Sequence, residues 1–323
     1  MKVLVTGATG FLGTHLVPRL VAEGHCVRIL IRPTSPQAYS EDCPVERVTG
    51  DVTDRASVGK AIRGCDWVIH AAANLSYWGR DQVSLEQVNV EGTRNVAQLC
   101  RQEGVKRLLH VSSVAAVGIP DSPDHPANEE FSFNLDGKEL PYHFSKRKAE
   151  QIVLGEVERG LDAVIVNPAS IFGPNGKSYR GSDMFQKVRR TRVVPYFTGG
   201  ICVVHVEDVV SGIQAALRRG SSGQRYILGG DNITLRSLAE LTAAAMGLRR
   251  TFVPVSPFVT ALAAMILEPW GRLRGRRPYI THVTHYCASR YHYYSSEKAG
   301  RTLEYVPRTF RAILEECLHM HMC

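Results

Sequence analysis

The sequence lacks the features that mark secreted, zinc-stabilised or membrane-spanning proteins. Its 8 cysteines are scattered, without a Cys-x-x-Cys pair or other metal-ligand spacing, which argues against a disulfide framework and a structural zinc site. A strand pattern and a glycine loop follow Met1 directly, so we expect no secretory signal. The longest apolar run, 258–267, is far shorter than the roughly 20 residues that span a bilayer. These absences predict a cytoplasmic protein without a bound metal.

The composition is that of an ordinary globular protein. The chain has 323 residues, 44% of them apolar and 22% charged, which is enough to bury a large core in one domain or two unequal lobes. It contains no internal repeat and no Ser/Gly linker. The net charge is +8, but no motif that reads nucleic acid accompanies the basic residues, so we expect no nucleic-acid partner.

The first half of the chain alternates short β-branched apolar runs with longer amphipathic stretches. This alternation predicts right-handed crossovers and a parallel sheet that helices cover on both faces. After about Pro174 the pattern becomes irregular. We therefore predict an α/β fold, with a Rossmann-type doubly wound parallel sheet in residues 1–173 and a smaller substrate lobe in residues 174–323, interleaved with the end of the sheet. The predicted strands are 2–6, 27–31, 45–48, 67–70, 107–112 and 163–167, and the predicted helices are 13–23, 54–63, 85–102 and 142–159.

A glycine loop joins the first predicted strand to the first predicted helix. Glycines at these positions allow a sharp turn, a close approach of the backbone to a pyrophosphate, and tight packing of the helix on the strand. The helix N-terminus then presents unpaired N–H groups and a partial positive charge to the anion. An ordinary glycine-rich turn would explain the triplet alone, but not the strand, loop and helix in this order. The residues predicted to contact a dinucleotide are Gly7, Thr9, Gly10, Phe11, Leu12 and Gly13.

An arginine occupies the position that discriminates between the two nicotinamide cofactors. Dinucleotide folds usually place an acidic residue at the end of the second strand, where it binds the ribose 2′-hydroxyl. Here Arg32 stands at that position, and a guanidinium can bind a 2′-phosphate through two hydrogen bonds. The alternative is a solvated arginine on a loop. We predict NADP(H) in preference to NAD(H).

Loops after the third and fourth predicted strands extend the predicted cofactor site. Asp51 and Val52 follow the third strand, where the carboxylate can accept a hydrogen bond from the adenine amine. Ala71, Ala72 and Ala73 follow the fourth strand, and their small side chains allow a cofactor to lie close to the backbone. Both loops lie at the carboxyl edge of the sheet, where such folds bind ligands. Each of these residues also fits an ordinary loop.

A tyrosine and a lysine stand four residues apart on one predicted helix. Tyr142 and Lys146 therefore share a helix face. A free tyrosine has a pKa near ~10 and is a poor acid at neutral pH. A neighbouring ammonium stabilises the phenolate and lowers that pKa toward the working range, and the same lysine can hold the nicotinamide ribose. Because this spacing is common by chance, its meaning depends on the residues around it.

Three further polar residues accompany the pair. Ser112 and Ser113 end the fifth predicted strand, where a hydroxyl can bind the substrate oxygen that Tyr142 would protonate. Asn89 lies at the start of a predicted helix, either as part of a proton relay or as a plain helix-entry residue.

With these motifs in place, the chain resembles the extended short-chain dehydrogenases/reductases, the NAD(P)-dependent epimerase/dehydratase superfamily. The resemblance runs from the glycine loop to at least Gly230. It implies that Tyr142 and Lys146 are catalytic, that Ser113 is the third catalytic residue, and that Ser112 lies beside the cofactor.

The resemblance extends to a further segment and to assembly. The sequence Asn-Pro-Ala-Ser-Ile-Phe-Gly-Pro at 167–174 resembles a segment that packs on the nicotinamide, which implies cofactor contacts for Pro168, Ala169 and Ile171. Many members dimerise through two helices of the sheet domain. The stretches 83–102 and 142–159 match these helices, so the resemblance implies a homodimer.

Two departures from the family pattern bear on the substrate. Members that act on nucleotide sugars carry an Asn in the segment matching 167–174, which contacts the diphosphate sugar. They also carry an Arg before a His-Val-Asp-Asp-like motif, which binds the substrate's phosphates. Here these residues are Ser170 and Ile201. The loss of a cation is costly for a dianionic substrate. The chain thus resembles the dihydroflavonol-reductase-like and 3β-hydroxysteroid-dehydrogenase-like branches.

The C-terminal half contains two patterns whose meaning stays open. The apolar stretch 254–267 is expected to form a buried core helix or to line a pocket. The basic cluster that follows it makes 258–277 either a peripheral contact with an anionic membrane or a helix followed by a solvated loop. His282 and His285 have metal-ligand spacing but no third ligand, which favours core or pocket positions.

Together these patterns imply an NADP(H)-dependent oxidoreductase that transfers hydride between the nicotinamide and a small molecule, a neutral and apolar ketone, aldehyde or alcohol. The main alternative is an NAD(P)-dependent nucleotide-sugar epimerase or dehydratase with no net redox change. A second alternative is a non-catalytic NADP-sensing or scaffold protein, which the Ser, Tyr and Lys residues disfavour.

Overall fold

The apolar runs of the first half form a parallel sheet. The computed structural model describes residues 1–36, 39, 43–76, 81–135, 140–174, 180–275, 278 and 280–319. Its elements in chain order are β1 (Lys2–Thr6), α1 (Phe11–Ala22), β2 (Cys26–Ile31), β3 (Val45–Thr49), α2 (Arg55–Ile62), β4 (Trp67–His70), α3 (Gln82–Leu85), α4 (Gly92–Gln102), β5 (Arg107–Val111), α5 (Pro141–Val157), β6 (Ala163–Pro168), β7 (Ser170–Phe172), α6 (Arg180–Arg190), β8 (Val193–Tyr196), β9 (Gly200–His205), α7 (Val206–Arg219), β10 (Arg225–Leu228), β11 (Asp231–Thr234), α8 (Leu235–Ala245), β12 (Thr251–Pro254), α9 (Pro257–Arg274), α10 (His282–Ala288), β13 (Tyr291–His292), α11 (Glu297–Leu303) and α12 (Phe310–His319).

Seven of the described strands form one parallel sheet in the order β3-β2-β1-β4-β5-β6-β10. Alternate residues of β1 point to opposite faces, so Val3 and Val5 pack in one apolar core and Leu4 packs in the other. Helices α1 and α7 contact each other, and α4 contacts α2 and α5. The predicted α/β class and Rossmann-like parallel sheet are confirmed.

A second, smaller group of strands follows β6. Strand β9 pairs antiparallel with β11 and parallel with β7 and β13, and β8 pairs with β12. The chain returns to the main sheet through α7 and β10, since β10 pairs parallel with β6. The segment after residue 174 therefore supplies the edge strand β10 of the main sheet and, apart from β7, the described strands of the smaller sheets.

Between α3 and α4 the helix does not run regularly as predicted. A π-helical turn occupies Glu86–Glu91, and the helical segment starts at Gln82 rather than at residue 85. Such turns are often found at functional sites, and this one carries the predicted site residue Asn89.

The expectation of a buried core helix in 254–267 is wrong. Helix α9 has its large apolar residues Phe258, Met265 and Ile266 exposed to solvent. The reason is that the stripe facing the protein consists of small or polar residues, among them Ala264. Within the described residues no helix is long and apolar enough to cross a membrane.

The two histidines with metal-ligand spacing contact neighbouring side chains. His285 Nδ1 lies 2.7 Å from Thr260 Oγ1, and His282 Nδ1 lies 3.6 Å from a carboxylate oxygen of Glu268. In the described part of the chain, no group of three or more His, Cys, Asp or Glu side chains could hold a metal ion.

Candidate active site

The glycine loop depends on close backbone contacts that a side chain would prevent. Gly7 has φ +71°, and a Cβ there would lie 2.6 Å from the backbone of Ala71 and Ala72. A Cβ on Gly13 would lie 2.3 Å from the carbonyl oxygen of Ala8. The first contact brings the loop against the end of β4, and the second packs α1 closely onto the loop. This is the geometry that a dinucleotide-binding loop requires.

The start of α1 is open toward the outside of the loop. Gly10 accepts the first helical hydrogen bond, from Thr14 N at 2.9 Å, and offers no side chain to the free N–H groups of the first turn. A Cβ on Gly10 would meet only the Gly7 carbonyl oxygen, at 3.3 Å. The backbone there can therefore approach a pyrophosphate. The predicted contacts Thr9, Phe11 and Leu12 are half-buried around it.

Tyr39 supports the glycine loop from behind, a contact that the sequence did not indicate. Its hydroxyl lies 2.5 Å from the carbonyl oxygen of Ala8 and 3.0 Å from that of Gly13, and the side chain is buried. Desolvation by burial raises the pKa of Tyr39 far above its usual range, so the hydroxyl stays protonated and acts as a donor. A tyrosine in the loop after β2 carries no local signal for this role.

The two residues predicted at the adenine end lie side by side after neighbouring strands. Arg32 follows β2 and Asp51 follows β3, and Gly50 N donates to the Ile31 carbonyl at 2.9 Å between them. Arg32 is exposed, and in the described part of the chain its guanidinium has no hydrogen-bond or ion-pair partner. Asp51 Oδ1 accepts two hydrogen bonds from Thr53, from the backbone N and from Oγ1, each 2.9 Å. The Arg32 guanidinium can therefore accept a new anionic partner without breaking a contact.

Val52 and the alanine loop lie against neighbouring elements of the sheet domain. Val52 is buried, and a Cβ on Gly92 would lie 2.8 Å from it, so this loop packs directly on α4. Ala71 and Ala73 are half-buried at the end of β4, and Ala71 N donates to the Thr6 carbonyl at 3.2 Å.

A chain of hydrogen bonds connects the end of β4 to the π-helical turn. Ala72 N donates to Thr6 Oγ1 at 3.2 Å, and Thr6 Oγ1 lies 2.7 Å from His70 Nδ1. At the other end, Thr93 Oγ1 donates to the Asn89 carbonyl at 2.6 Å and lies 3.0 Å from His70 Nε2. The directions agree if His70 donates from Nε2 and accepts at Nδ1. Burial lowers the pKa of His70 to about 3, which keeps the ring neutral as this chain requires.

Asn89 fixes the backbone of the segment that follows β4 through hydrogen bonds. Its Oδ1 accepts from Asn74 N at 2.7 Å and its Nδ2 donates to the Asn74 carbonyl at 3.0 Å. Nδ2 also donates to Ser145 Oγ at 2.9 Å, and Ser145 Oγ donates to the Tyr142 carbonyl at 2.8 Å. Asn89 is therefore a fixed link between the alanine loop and α5, rather than a plain helix-entry residue.

The carboxyl end of β5 meets the first turns of α5. Lys146 is buried, and its Nζ donates to the Val111 carbonyl at 2.9 Å, directly before the two serines. Tyr142, one turn earlier on α5, is 4% exposed and packs with Ala115, two residues past Ser113. The structure thus brings the four predicted residues of the Ser, Tyr and Lys motifs to one point at the carboxyl edge of the sheet.

The two serines differ in their contacts. Ser113 is half-buried, and its Oγ accepts from Ala115 N at 3.2 Å as the cap of a short 3₁₀ turn. Ser112 is buried, and its Oγ has no hydrogen-bond partner in the described part of the chain. A buried hydroxyl without a partner is costly, and a polar group of a bound cofactor would satisfy it. The Ser112 hydroxyl therefore fits a cofactor contact.

The surroundings of Lys146 stabilise its neutral form more than solvent would. Burial lowers the pKa of Lys146 to about 8, and the buried carboxylate of Glu150 one turn further acts in the opposite direction. Burial also lowers the pKa of His110 on β5 well below its usual range, with the Lys146 ammonium acting in the same direction. The site therefore holds the Lys146 ammonium beside the uncharged rings of His70 and His110.

The segment that is predicted to pack on the nicotinamide lies between the main sheet and the smaller sheet that contains β9. Pro168 ends β6, Ala169 N donates to the Leu228 carbonyl at 3.1 Å, and Ile171 on β7 packs against the main core. A Cβ on Gly173 would lie 3.4 Å from the Phe11 ring, so the end of this segment lies beside the glycine loop.

A sequence profile of the NAD dependent epimerase/dehydratase family matches residues 3–229. The chain belongs to this family. The match covers the main sheet from β1 to β10 together with every predicted site residue. The predicted resemblance is confirmed, and family members named dihydroflavonol 4-reductase and 3-beta-hydroxysteroid dehydrogenase occur among the relatives.

Two other relatives have a higher sequence identity to this chain than these two. Sterol demethylase protein B of Methylococcus capsulatus is 35% identical over 84% of this chain and 83% of that protein. The 2-alkyl-3-oxoalkanoate reductase of Stenotrophomonas maltophilia is 31% identical over 95% of both chains. Among solved structures, the crystal structure of gox2253 superimposes with a TM-score of 0.86, at 32% identity over 99% of this chain and 98% of that one.

Proposed function

We propose that this family member is an NADP(H)-dependent oxidoreductase that acts on a neutral, apolar ketone, aldehyde or alcohol. The observation that carries the proposal is the buried Lys146 ammonium, anchored 2.9 Å from the Val111 carbonyl beside Ser113 and one helical turn from Tyr142. A fixed ammonium beside a buried phenol lowers the cost of the phenolate, which is what a tyrosine needs to act as an acid or base.

Each residue has a separate task in this proposal. The bound nicotinamide supplies or accepts the hydride. Tyr142 gives its phenolic proton to the substrate oxygen during reduction and takes it back during oxidation, while Lys146 stabilises the phenolate and holds the ribose. Ser113 orients the carbonyl through its hydroxyl, and Asn89 keeps α5 in place through Ser145.

The glycine loop and the residues around it would hold the rest of the cofactor. The loop fits a pyrophosphate because its glycines leave the backbone accessible. Arg32 would bind the 2′-phosphate of NADP(H), since its guanidinium is exposed and unpaired in the described structure. Asp51, Val52 and the alanine loop would line the adenine and ribose, and Ser112, Pro168, Ala169 and Ile171 would line the nicotinamide.

The surroundings of Ile201 support an uncharged substrate. This residue lies on β9 opposite Ile233 and packs against the apolar cluster that includes Phe172 and Phe310. An apolar strand at this position offers no cationic side chain that could bind a diphosphate. The name of one relative refers to a sterol, which is uncharged and apolar, and the name of another refers to a 2-alkyl-3-oxoalkanoate, which combines apolar alkyl chains with a charged carboxylate. We extend to this chain the apolar character that the two molecules share, and not the carboxylate.

The alternative is an epimerase or dehydratase that takes up and returns the hydride without net redox change, with which the family description is also consistent. The experiment follows NADPH absorbance in the near ultraviolet while the enzyme meets neutral ketones, neutral aldehydes and nucleotide sugars in turn. We expect steady loss of NADPH with a neutral carbonyl compound. Unchanged NADPH with every compound, together with an altered nucleotide sugar, would establish the alternative and reject the proposal.

A further inference from the structure

Helix α9 presents its large apolar side chains to solvent and its small ones to the protein. The buried stripe consists of Thr260, Ala264, Glu268 and Gly271, at helical spacing. A surface helix of a globular protein normally has the reverse arrangement. The exposed face carries Phe258, Val259, Leu262, Met265, Ile266, Trp270 and Leu273.

Polar contacts with α10 determine this orientation. Thr260 Oγ1 lies 2.7 Å from His285 Nδ1 on the buried side of the helix. One carboxylate oxygen of Glu268 accepts from His282 N at 2.9 Å. A rotation of α9 that buried its apolar face would break both contacts and expose the small residues instead. The exposed apolar face is therefore built into the packing of α9 on α10.

The apolar face is contiguous, unlike other exposed apolar residues. Phe258 is 76% exposed at one end of the helix and Leu273 is 85% exposed at the other. Elsewhere in the described structure, residues such as Leu75, Val83 and Val306 are exposed at separate places in the chain. Contiguous apolar patches of this kind mark surfaces that bind a partner or a membrane.

The charge around the face identifies the partner. The only acidic residue of α9 is the buried Glu268, while the sequence places arginines at 272, 274, 276 and 277 at the C-terminal end of the helix and beyond it. The Arg274 guanidinium carbon lies 3.7 Å from the centroid of the Trp270 ring. Large apolar residues, a tryptophan and adjacent arginines without exposed acids are the composition of helices that lie at anionic bilayer surfaces.

We propose that α9 docks in the plane of an anionic lipid bilayer, with its exposed apolar side chains from Phe258 to Leu273 in the acyl boundary and Arg274 at the headgroups. The attachment is peripheral, because no described helix can cross a membrane. Helix α10 connects this surface to the candidate active site. Its residues Val283 and Tyr286 pack in one apolar cluster with Leu140 and Phe144, which flank Tyr142.

Vesicle sedimentation with the full chain tests the docking without any need for turnover. The probe is a vesicle of equimolar phosphatidylcholine and phosphatidylglycerol, compared with phosphatidylcholine alone. We expect wild type to bind the mixed vesicles at low salt and to bind pure phosphatidylcholine more weakly. The double variant Phe258→Glu/Leu273→Glu should lose at least about ten-fold in affinity, because two exposed side chains no longer enter the apolar boundary. Arg274→Glu should weaken binding to the mixed vesicles only.

The control is Val306→Glu, which places a single glutamate at a residue that is 85% exposed, as Leu273 is, but lies outside α9. We expect it to bind as wild type does. Trp270 provides a second readout, since its emission should shift to the blue on binding, and the shift should be absent in Trp270→Phe. Circular dichroism of each variant establishes that it has folded.

Two results would overturn the proposal. The first is a failure of vesicle binding to behave as expected: either wild type stays in the supernatant with the mixed vesicles at low salt, or the double variant binds as well as wild type. The other is a wild-type dimer that the double variant converts to monomer while neither binds vesicles, which would assign the face to a second copy of the chain. Since the NADPH measurement uses no vesicles, failure of this proposal and failure of the proposed activity are separate results.

Discussion

The two ends of the candidate cofactor cleft are built in different ways. At the catalytic end, Lys146 and Asn89 are buried, and backbone atoms of other segments hold their side chains. At the adenine end, Arg32 is exposed, and the Asp51 carboxylate accepts its hydrogen bonds from Thr53, two residues later in the same turn. Groups that transfer protons need positions determined by the surrounding structure. A group that only selects a cofactor can remain on a loop, where a substitution changes affinity without disturbing the fold.

The catalytic end contains buried polar atoms without hydrogen-bond partners, which lower the stability of the fold. Ser112 Oγ, Asn167 Oδ1 and both ring nitrogens of His110 are buried without hydrogen-bond partners in the described part of the chain. Each such atom loses its contacts with water and gains nothing from the protein. The adenine end has no comparable atoms among Arg32, Asp51 and Val52. The comparison therefore predicts large effects on turnover at one end and effects on binding alone at the other.

The largest expected effect comes from Tyr142→Phe. The variant keeps the buried ring but lacks the phenolic proton, so turnover should fall by about 10²–10⁴-fold. Affinity for NADPH should stay within a few-fold of wild type, because most of the residues proposed to bind the cofactor lie elsewhere. Steady-state kinetics with the best substrate of the carbonyl panel and a fluorescence titration with NADPH measure the two quantities. Near-normal turnover would show that Tyr142 is not the acid or base of the reaction.

Lys146→Met tests whether the catalytic end is desolvated. Burial lowers the pKa of Lys146 to about 8 in the folded protein, whereas the unfolded chain titrates near ~10.4. Between these values the unfolded chain binds more protons, so this residue increases the free energy of unfolding as the pH rises. Wild type should therefore gain up to about 3 kcal/mol relative to the variant over that interval.

Urea denaturation at several pH values between about 8 and 10 measures this difference. Lys148→Met is the control, since it removes an exposed ammonium from the same helix. If the stability curves of wild type and Lys146→Met ran parallel across the interval, Lys146 would be solvated like any surface lysine, and the contrast between the two ends would disappear.

At the adenine end, Arg32→Ala should change binding but not chemistry. A charged hydrogen bond to a 2′-phosphate contributes about 1.5–3 kcal/mol, so the Kd for NADPH should rise about 10- to 100-fold. The Kd for NADH and the turnover at saturating NADPH should be unchanged. Isothermal titration with both cofactors is the measurement, with Arg249→Ala as an exposed arginine of the second lobe for comparison. Equal affinities for the two cofactors in wild type, unaltered by the substitution, would contradict the NADP(H) preference.

Local spacing is enough to predict the parts of the fold that depend on neighbouring residues in the chain. The predicted strands 2–6 and 67–70 match β1 and β4 at both ends, because short apolar runs between loops define them. The order of strand, glycine loop and helix is likewise a local pattern. Tyr142 and Lys146 share a helix face for the same reason.

Features that depend on distant contacts are not visible in the sequence. The link from Asn89 to Asn74 spans 15 residues, and the hydrogen bond from Tyr39 to Ala8 spans 31. Helix α9 is apolar on several sides, so its periodicity does not show which side faces the protein. The small residues and the polar contacts with α10 decide this, and the expectation of a buried core helix failed for that reason.

Tyr39→Phe should have the smallest effect, because it removes one donor behind the glycine loop and leaves the buried ring in place. The loss of the hydroxyl from the Ala8 and Gly13 carbonyls should lower the free energy of unfolding by about 1 kcal/mol. The loop should then bind NADPH a few-fold more weakly, while saturated turnover stays at the wild-type value. Urea denaturation and isothermal titration measure the two effects. Tyr291→Phe is the control, since its hydroxyl has no hydrogen-bond partner in the described structure. A drop in turnover without a change in NADPH affinity would mean that the glycine loop positions the reacting groups as well, and that the two ends of the cleft are not independent.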